Sequence, residues 1–139
     1  SAISQDFPKA IIDGFLIQEM SEPGLEIILG INNREGFGPI LMVGFGGINV
    51  EKTRDVAFAP VPLGEDDCNH LLKKLKGSVL LDADKYDVPA LIDLMTSLSN
   101  FAESTDDYIG EIDLNPVLVH SKGQGVTVID ALMFKHKQH

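Results

Sequence analysis

The sequence has no tryptophan, and its one cysteine, Cys68, lacks a partner thiol. A single cysteine cannot form an internal disulfide or supply the several thiolates of a structural zinc site, so neither these nor thiol redox chemistry is expected. Basic residues are also scarce, with 11 Lys and Arg against 21 Asp and Glu and a net charge of −10. Such a surface repels phosphate backbones and anionic lipids, so we do not expect nucleic acid or a membrane as a partner.

Long apolar runs are absent as well. No segment approaches the roughly 20 apolar residues that are needed to cross a bilayer. Residues 1–6 have neither the basic start nor the apolar stretch of a signal peptide, so we expect a cytoplasmic protein. With 44% hydrophobic and 23% charged residues in 139 positions, the composition is typical of one globular domain.

The hydrophobic periodicity predicts an α+β fold. Short apolar runs bounded by Gly, Pro and Asn indicate strands, and apolar residues at i, i+3 and i+4 indicate helices. The predicted elements are strands at 15–20, 25–31 and 39–44, a glycine-rich loop at 44–51, helices at 65–76 and 88–102, and a hairpin of strands at 109–120 and 126–132. This order favours a mostly antiparallel sheet with two helices on one face, followed by a flexible tail at 135–139.

Each predicted helix has an apolar stripe and a capping residue. The stripes comprise Cys68, Leu71, Leu72 and Leu75 in the first helix, and Leu91, Leu94, Met95, Leu98 and Phe101 in the second. Gly77 stands where a C-terminal cap of the first helix is expected, and Asp87 precedes the second helix as an N-cap. We therefore expect both stripes to be buried, with Cys68 as a small core residue.

Polar residues alternate with apolar ones in the run EIDLNP of the first hairpin strand. A strand places Glu111, Asp113 and Asn115 on one face. The hairpin turn places Asn115 opposite Ala131 or, with a slip of one residue, opposite Asp130. Facing amide and carboxylate oxygens suit Mg²⁺, and a cation would offset the repulsion between carboxylates and the cost of an unpaired Asp130 in an apolar run. The alternative is that this row is the solvated face of an edge strand.

Other candidate residues are ambiguous when they are taken singly. The glycines at 44–47 could form either a tight turn or a phosphate-binding loop. Glu19 and Glu26 flank a Pro-Gly break, and each alone is more typical of a surface carboxylate than of a ligand. None of the four histidines is assigned to catalysis, and His120 simply ends a predicted strand.

Seven motifs, taken together and in order, resemble those of a known family. They are FLIQEM at 15–20, GLEIILG at 24–30, FGP at 37–39, GFGGINVE at 44–51, DVA at 55–57, EIDLNP at 111–116 and IDA at 129–131. The set is similar to the ATP-grasp domain of NDP-forming acyl-CoA synthetases, which are the ADP-forming acetyl-CoA synthetase relatives of succinyl-CoA synthetase. The resemblance implies that 14–134 is the C-terminal subdomain of an ATP-grasp fold, and that 1–13 is a leader or a remnant of the preceding subdomain.

The resemblance implies roles for particular residues. The nucleotide-binding residues would be Gln18, Glu19 and Met20 as the hinge that meets the adenine, Glu26 facing the ribose, and Gly46, Gly47 and Glu51 in the glycine-rich segment beside the site. Asn115 and Asp130 match the Mg²⁺ ligands that bridge the nucleotide phosphates. Asp113 matches the catalytic carboxylate that orients a phosphohistidine when its loop reaches the nucleotide.

The resemblance also implies a reaction and partners. The reaction would convert acyl-CoA, ADP and phosphate to acid, CoA and ATP, reversibly, through acyl-phosphate and phosphohistidine intermediates. The N-terminal ATP-grasp subdomain, with its phosphate-gripping lysine, and the CoA-binding and histidine-bearing domains or subunit would complete the enzyme. We expect the isolated chain to be inactive, and the surfaces around Phe15, Ile17 and Met42 to favour self-association.

Two regions depart from the family pattern and leave alternatives open. Family members usually carry an Arg-Gly element between the two helices and an arginine shortly before the proline that follows DVAF, whereas residues 82–87 read DADKYD and 59–62 read APVP. A non-catalytic nucleotide-binding or assembly module is therefore the first alternative. An ATP-grasp ligase that acts on an amine is the second, because the oxygen-only Mg²⁺ site is common to that superfamily.

Overall fold

The computed structural model describes residues 9, 11, 13–34, 36–47 and 55–136. Its elements are β1 (Leu25–Arg34), β2 (Gly38–Phe45), β3 (Val56–Pro60), α1 (Glu65–Lys73), a 3₁₀ turn (Ser78–Leu80), α2 (Val88–Ser104), β4 (Ile109–Val119), β5 (Val126–Val128) and β6 (Ala131–Lys135). Within these residues the strands form a six-stranded sheet in the order β3-β2-β1-β4-β5, and β6 pairs with β4 beside β5. All of these pairings are antiparallel, which confirms the α+β prediction.

The core lies between the sheet and the two helices. Helix α1 contacts α2 and β3, and α2 contacts β1, β2 and β4, so one face of the sheet, here the inner face, is covered. Alternation along β1 buries Ile27, Leu29 and Ile31 on this face. The opposite face, here the outer face, carries no helix among the described residues, and neither helix of that part of the chain is long and apolar enough to cross a membrane.

The first helix is shorter than predicted, and its expected glycine cap has another role. Helix α1 ends at Lys73, although its predicted stripe is buried as far as Leu75. Gly77 is not a left-handed cap; its N–H donates to Oδ2 of Asp55 at 2.7 Å. A Cβ at Gly77 would lie 2.8 Å from the ring of Phe45, so close packing and not backbone conformation requires glycine there.

The second helix is confirmed, with one error in its buried stripe. Asp87 caps it by accepting a hydrogen bond from the backbone N–H of Ala90 at 3.4 Å. Phe101 is 41% exposed, whereas Ala102 is buried. The reason is helical geometry. The buried stripe through Leu91 and Leu98 continues to Ala102, and residue 101 is rotated by about 100° from residue 102 around the helix axis.

The predicted strand at 15–20 is wrong. These residues lie outside any strand, and all four of their large apolar side chains are exposed, with Ile17 at 93%. A strand needs a neighbour that completes its backbone hydrogen bonds. Both edges of β1 are occupied by β2 and β4, and the far edge of β4 is occupied by β5 and β6. The segment that leads into β1 therefore has no edge beside β1 on which to pair.

The last predicted strand and the predicted tail also differ from the structure. The run 126–132 is divided into β5 and β6 by Ile129 and Asp130. Strand β6 includes Lys135, and the backbone N–H of His136 donates to the carbonyl of Tyr108 at 3.0 Å. Paired backbone thus continues into the region expected to be a tail, and residues 137–139 lie outside the described residues.

Candidate functional site

The polar row of β4 lies on the outer face. Glu111 and Asn115 are exposed and Asp113 is half-buried, while Ile112 and Leu114 are buried on the inner face. The alternation read from the sequence therefore orients this part of β4 as expected. Functional candidates on this strand point away from the core and can be substituted without opening it.

The hairpin brings Asn115 beside Asp130. The backbone N–H of Asn115 donates to the carbonyl of Asp130 at 3.1 Å, and the pairing of Leu114 with Ala131 continues the same register. Of the two predicted pairings, Asn115 with Ala131 and Asn115 with Asp130, the structure therefore has the second, which includes the slip of one residue. Asp130 is exposed, and its Oδ1 accepts a hydrogen bond from the N–H of Ala131 at 2.9 Å. The argument that Asp130 is a costly unpaired charge in an apolar run is therefore wrong.

The donor set at this pair fits a magnesium ion that is shared with a phosphate ligand. Asn115 and Asp130 offer exposed amide and carboxylate oxygens, which are the ligand atoms that Mg²⁺ prefers. Among the described residues no group of three or more His, Cys, Asp or Glu could hold a metal ion. A cation here would thus depend on oxygens of a bound ligand and on water for most of its coordination.

An open cleft of about 1010 Å³ runs along the outer face from the segment before β1 toward this pair. This hinge cleft is lined by Gln18, Glu19, Met20, Ser21, Glu22, Glu26, Pro116, Leu118, His120, Gln124, Thr127, Val128 and Ile129. The three predicted hinge residues and the predicted ribose-facing glutamate therefore line the same cleft. Pro116 and Ile129, at the other end, are the chain neighbours of Asn115 and Asp130.

Two predicted glycines lie against the predicted ribose-facing glutamate. The N–H of Gly46 donates to the carbonyl of Glu26 at 2.7 Å, and a Cβ at Gly46 would lie 2.9 Å from the Glu26 Cβ. Gly47 has φ +87°, and a Cβ there would lie 3.1 Å from Oε2 of Glu26. Both positions require glycine, one for close approach and one for its backbone conformation. Glu51 lies outside the described residues.

Asp113 borders a different cleft. This second cleft, of about 600 Å³, is lined by Gly30, Ile31, Asn32, Phe37, Ile40, Met42, Phe58, Glu111, Ile112 and Asp113. Asp113 is two residues from Asn115 along β4, which corresponds to about 7 Å in a strand. The structure thus brings Asp113 near the Asn115 and Asp130 pair but not into the hinge cleft.

Sequence reasoning missed His120 and Thr127 as cleft residues. His120 is 6% exposed, and its Nε2 lies 2.8 Å from the hydroxyl of Thr127. The register of β4 against β1 shifts between Ile27 and Leu29, so Val117 and Val119 face inward and the even-numbered residues face the cleft. The asparagine–proline pair at this shift was the available signal, since proline in a strand often marks an irregularity.

Comparison with known proteins identifies the family of this chain. A model of the ATP-grasp domain matches residues 1–134. The chain belongs to the ATP-grasp domain family.

Two curated relatives are ADP-forming ligases. The chain is 38% identical over 128 residues to the β subunit of the ADP-forming acetate–CoA ligase II of Pyrococcus furiosus, covering 89% of this chain and 54% of that subunit. It is 40% identical over 119 residues to the ADP-forming acetate–CoA ligase II of Archaeoglobus fulgidus, covering 84% of this chain and 17% of that protein. The chain thus spans about half of the first relative and less than a fifth of the second.

A solved structure of an acetyl-coenzyme A synthetase is also similar to this chain. The dinucleotide-forming acetyl-coenzyme A synthetase 1 of Ca. Korarchaeum cryptofilum, in complex with coenzyme A and Mg-AMPPCP, superposes with a TM-score of 0.77 at 35% identity. The match covers 86% of this chain and 56% of that chain. In that complex a phosphohistidine segment points towards the nucleotide binding site.

Proposed function

We propose that this chain supplies part of the Mg-nucleotide site of an ADP-forming acyl-CoA synthetase, an acid–thiol ligase. The observation that carries the proposal is the hinge cleft, which joins the segment holding Gln18, Glu19 and Met20 to the neighbours of Asn115 and Asp130. A base would lie at the hinge end and the phosphates at the Asn115 end. The named activities of the two curated relatives favour a thiol ligase over an amine ligase.

The charges of the hinge cleft support this orientation. Glu19, Glu22 and Glu26 line the wall near the hinge, and these carboxylates repel phosphate groups. A ribose can donate its hydroxyls to a carboxylate such as Glu26. Phosphates are favoured only at the far end, where Asn115 and Asp130 would share Mg²⁺ with them. Magnesium is therefore part of the proposed ligand, and it would supply the charge that lets an acidic surface hold a polyphosphate.

In the proposed reaction, acyl-CoA, ADP and phosphate give acid, CoA and ATP, and the phosphoryl group passes through an acyl-phosphate and a phosphohistidine. Asp113 would orient the histidine ring by accepting a hydrogen bond from one ring nitrogen. Its half-buried position two residues from Asn115 supports this role. Gly46, Gly47 and Glu51 would border the nucleotide, with the two glycines packed on Glu26.

The remaining parts of the enzyme are proposed partners. The relatives contain more chain than this one matches, which supports an N-terminal ATP-grasp subdomain and CoA-binding and histidine-bearing domains as its partners. Residues 14–134 would form one half of the nucleotide clamp. A cytoplasmic location is part of the same proposal.

The metal pair provides the test of this function. In the complete enzyme that contains this chain, we expect Asn115→Ala and Asp130→Ala each to lower nucleotide-dependent CoA-ligase turnover by about 100-fold or more. Both side chains are exposed, so the far-UV circular dichroism should not change. Asp93→Ala, on the exposed side of α2 and outside the lining of both clefts, is the matched control. Normal turnover in both site variants would contradict the metal assignment.

The chain by itself should bind nucleotide weakly. Half of a clamp lacks the cationic contacts to phosphate, and so we expect a dissociation constant for Mg-ATP well above the micromolar range. Isothermal titration of the 139-residue chain, with sedimentation of the same sample, measures affinity and self-association together. Micromolar binding by a clean monomer would show that a second subdomain is not needed.

A further inference from the structure

A buried histidine lies behind the base end of the hinge cleft. His120 follows β4, and its ring is held on both sides, since Nδ1 is 3.5 Å from the carbonyl of Pro23 and Nε2 is 2.8 Å from the hydroxyl of Thr127. Both His120 and Thr127 line the cleft. The ring thus connects the segment that enters β1 with the β4–β5 hairpin.

The carbonyl of Pro23 is the basis for assigning the hydrogen of the neutral His120 ring. A carbonyl oxygen can only accept, so the contact with Pro23 is a hydrogen bond only in the tautomer that carries its hydrogen on Nδ1, and we assign that tautomer. A neutral imidazole has one N–H, and Nε2 is then an acceptor. In this tautomer the Thr127 hydroxyl donates its proton to Nε2. Its oxygen keeps its lone pairs, and these are the polar feature that Thr127 presents toward the cleft.

The position of Thr127 along the sheet corresponds to the base and not to the phosphates. Thr127 pairs with Leu118, which is three residues beyond Asn115 along β4, a span of roughly 10 Å in an extended strand. Thr127 lines the hinge cleft together with the hinge residues Gln18, Glu19 and Met20. With phosphates at Asn115, this end of the cleft receives the base.

We propose that Thr127 is a specificity-determining residue that accepts a hydrogen bond from an amino group on the purine, and that His120 is the positioning residue that fixes its hydroxyl. The inference rests on the proposed nucleotide site. Adenine has an exocyclic amine at C6, whereas guanine and hypoxanthine have a carbonyl there. An acceptor-only hydroxyl binds the amine and leaves a carbonyl facing another oxygen.

The test compares two ligands that differ only in this amine. Mg-ATP and the Mg-triphosphate of purine riboside, which has hydrogen at C6, are titrated into the complete enzyme that contains this chain, and the affinity ratio is measured by isothermal titration. We expect ATP to bind about fivefold more tightly, the value for one neutral hydrogen bond. Thr127→Val, which keeps the shape, should bring the ratio to about one, and Thr127→Ser should keep it.

The positioning role of His120 has its own readout. His120→Phe keeps a ring but removes both nitrogens, so the Thr127 hydroxyl can rotate and the ratio should fall toward one, with the Mg-tripolyphosphate affinity unchanged. If this variant does not fold, the Thr127 pair still decides. An unchanged ratio in Thr127→Val would overturn the inference while leaving the nucleotide site intact. Absence of binding by every nucleotide in the complete enzyme would overturn the nucleotide site and the inference together.

Discussion

The two faces of the sheet serve different purposes. On the inner face Ile27, Leu29 and Leu114 are buried under the helices, and the side chains there are almost all aliphatic. On the outer face the same strands carry Asp113 and Asn115, and both clefts lie there. One face therefore supplies the free energy of folding, and the other presents the candidate chemistry.

The comparison teaches that stability and function can be varied separately in this chain. Removing an inner side chain leaves a cavity in a close-packed layer, because the helices cannot fully collapse onto it. Removing an outer polar side chain exposes little new apolar surface. Substitutions on opposite faces of the same strand should thus affect different measurements.

The sharpest test uses two leucines on opposite faces. Leu29 is fully buried on β1, and Leu132 is 52% exposed on β6. We expect Leu29→Ala to lower the free energy of unfolding by about 2–5 kcal/mol and Leu132→Ala by about 1 kcal/mol or less. Urea denaturation followed by circular dichroism measures both. Equal losses would show that the outer face is covered in solution, for instance by self-association.

Two aspartates give a second, smaller contrast. Asp55 is buried, and its carboxylate accepts hydrogen bonds from the backbone N–H groups of Lys76 and Gly77 at 2.8 and 2.7 Å. Asp55→Asn replaces one acceptor oxygen by a donor and leaves one buried N–H unpaired, which should cost about 1–3 kcal/mol.

The matched variant is Asp113→Asn on the outer face. No hydrogen bond joins this half-buried carboxylate to the rest of the described chain, and we expect a change in unfolding free energy within about 0.5 kcal/mol. In the complete enzyme the same substitution should abolish phosphoryl transfer if the proposed role is right. A larger stability loss in Asp113→Asn than in Asp55→Asn would reverse the assignment of the two faces.

Much of the inner face could be predicted from the sequence, because burial leaves a periodic pattern. The apolar stripe from Cys68 to Leu75, the capping residue Asp87 and the apolar run that forms β1 are local features, and the structure confirms each of them. Phe101 is the exception. Apolar residues at both i+3 and i+4 spacings do not show which residue at the edge of the stripe is buried. Local patterns thus predicted which elements form and which side they bury.

The outer face was harder to predict because it depends on register. The position of the turn left two partners open for Asn115, Ala131 and Asp130, and the structure has the pairing with Asp130. The inclusion of His120 did not, because β4 changes phase after Asn115, and simple alternation would have placed His120 on the inner face. The strand predicted at 15–20 fails for a related reason, since an apolar run does not reveal whether a neighbouring edge is available.

The roles of the site residues remain predictions. The Asn115 and Asp130 pair lies beside the hinge cleft, and Glu26 lies under two glycines, as their proposed functions require. The positions of these side chains limit which ligands can bind, whereas a role in turnover is tested only by the rate of the complete enzyme. The variants proposed above separate the two.

The smallest expected effect comes from a thiol on the inner face. Cys68 is fully buried, and burial raises the pKa of its thiol; the hydrogen bond with Thr96 lowers it, and the charge of Asp67 raises it further. The folded state therefore holds this proton more tightly than the unfolded state does, where the thiol has a pKa of about 8.5. Its contribution to stability is fully present below that pH and is lost as the pH rises through the higher folded pKa.

The free energy of unfolding should thus fall more steeply with pH above about 8.5 in the native chain than in Cys68→Ala, by at most about 1.4 kcal/mol per pH unit. Urea denaturation of both proteins between pH 7 and pH 10 measures this difference. Lysine and tyrosine titrations occur in both proteins and cancel in the comparison. Parallel profiles would mean that the thiol titrates alike in both states, and that the inner face around Cys68 admits water.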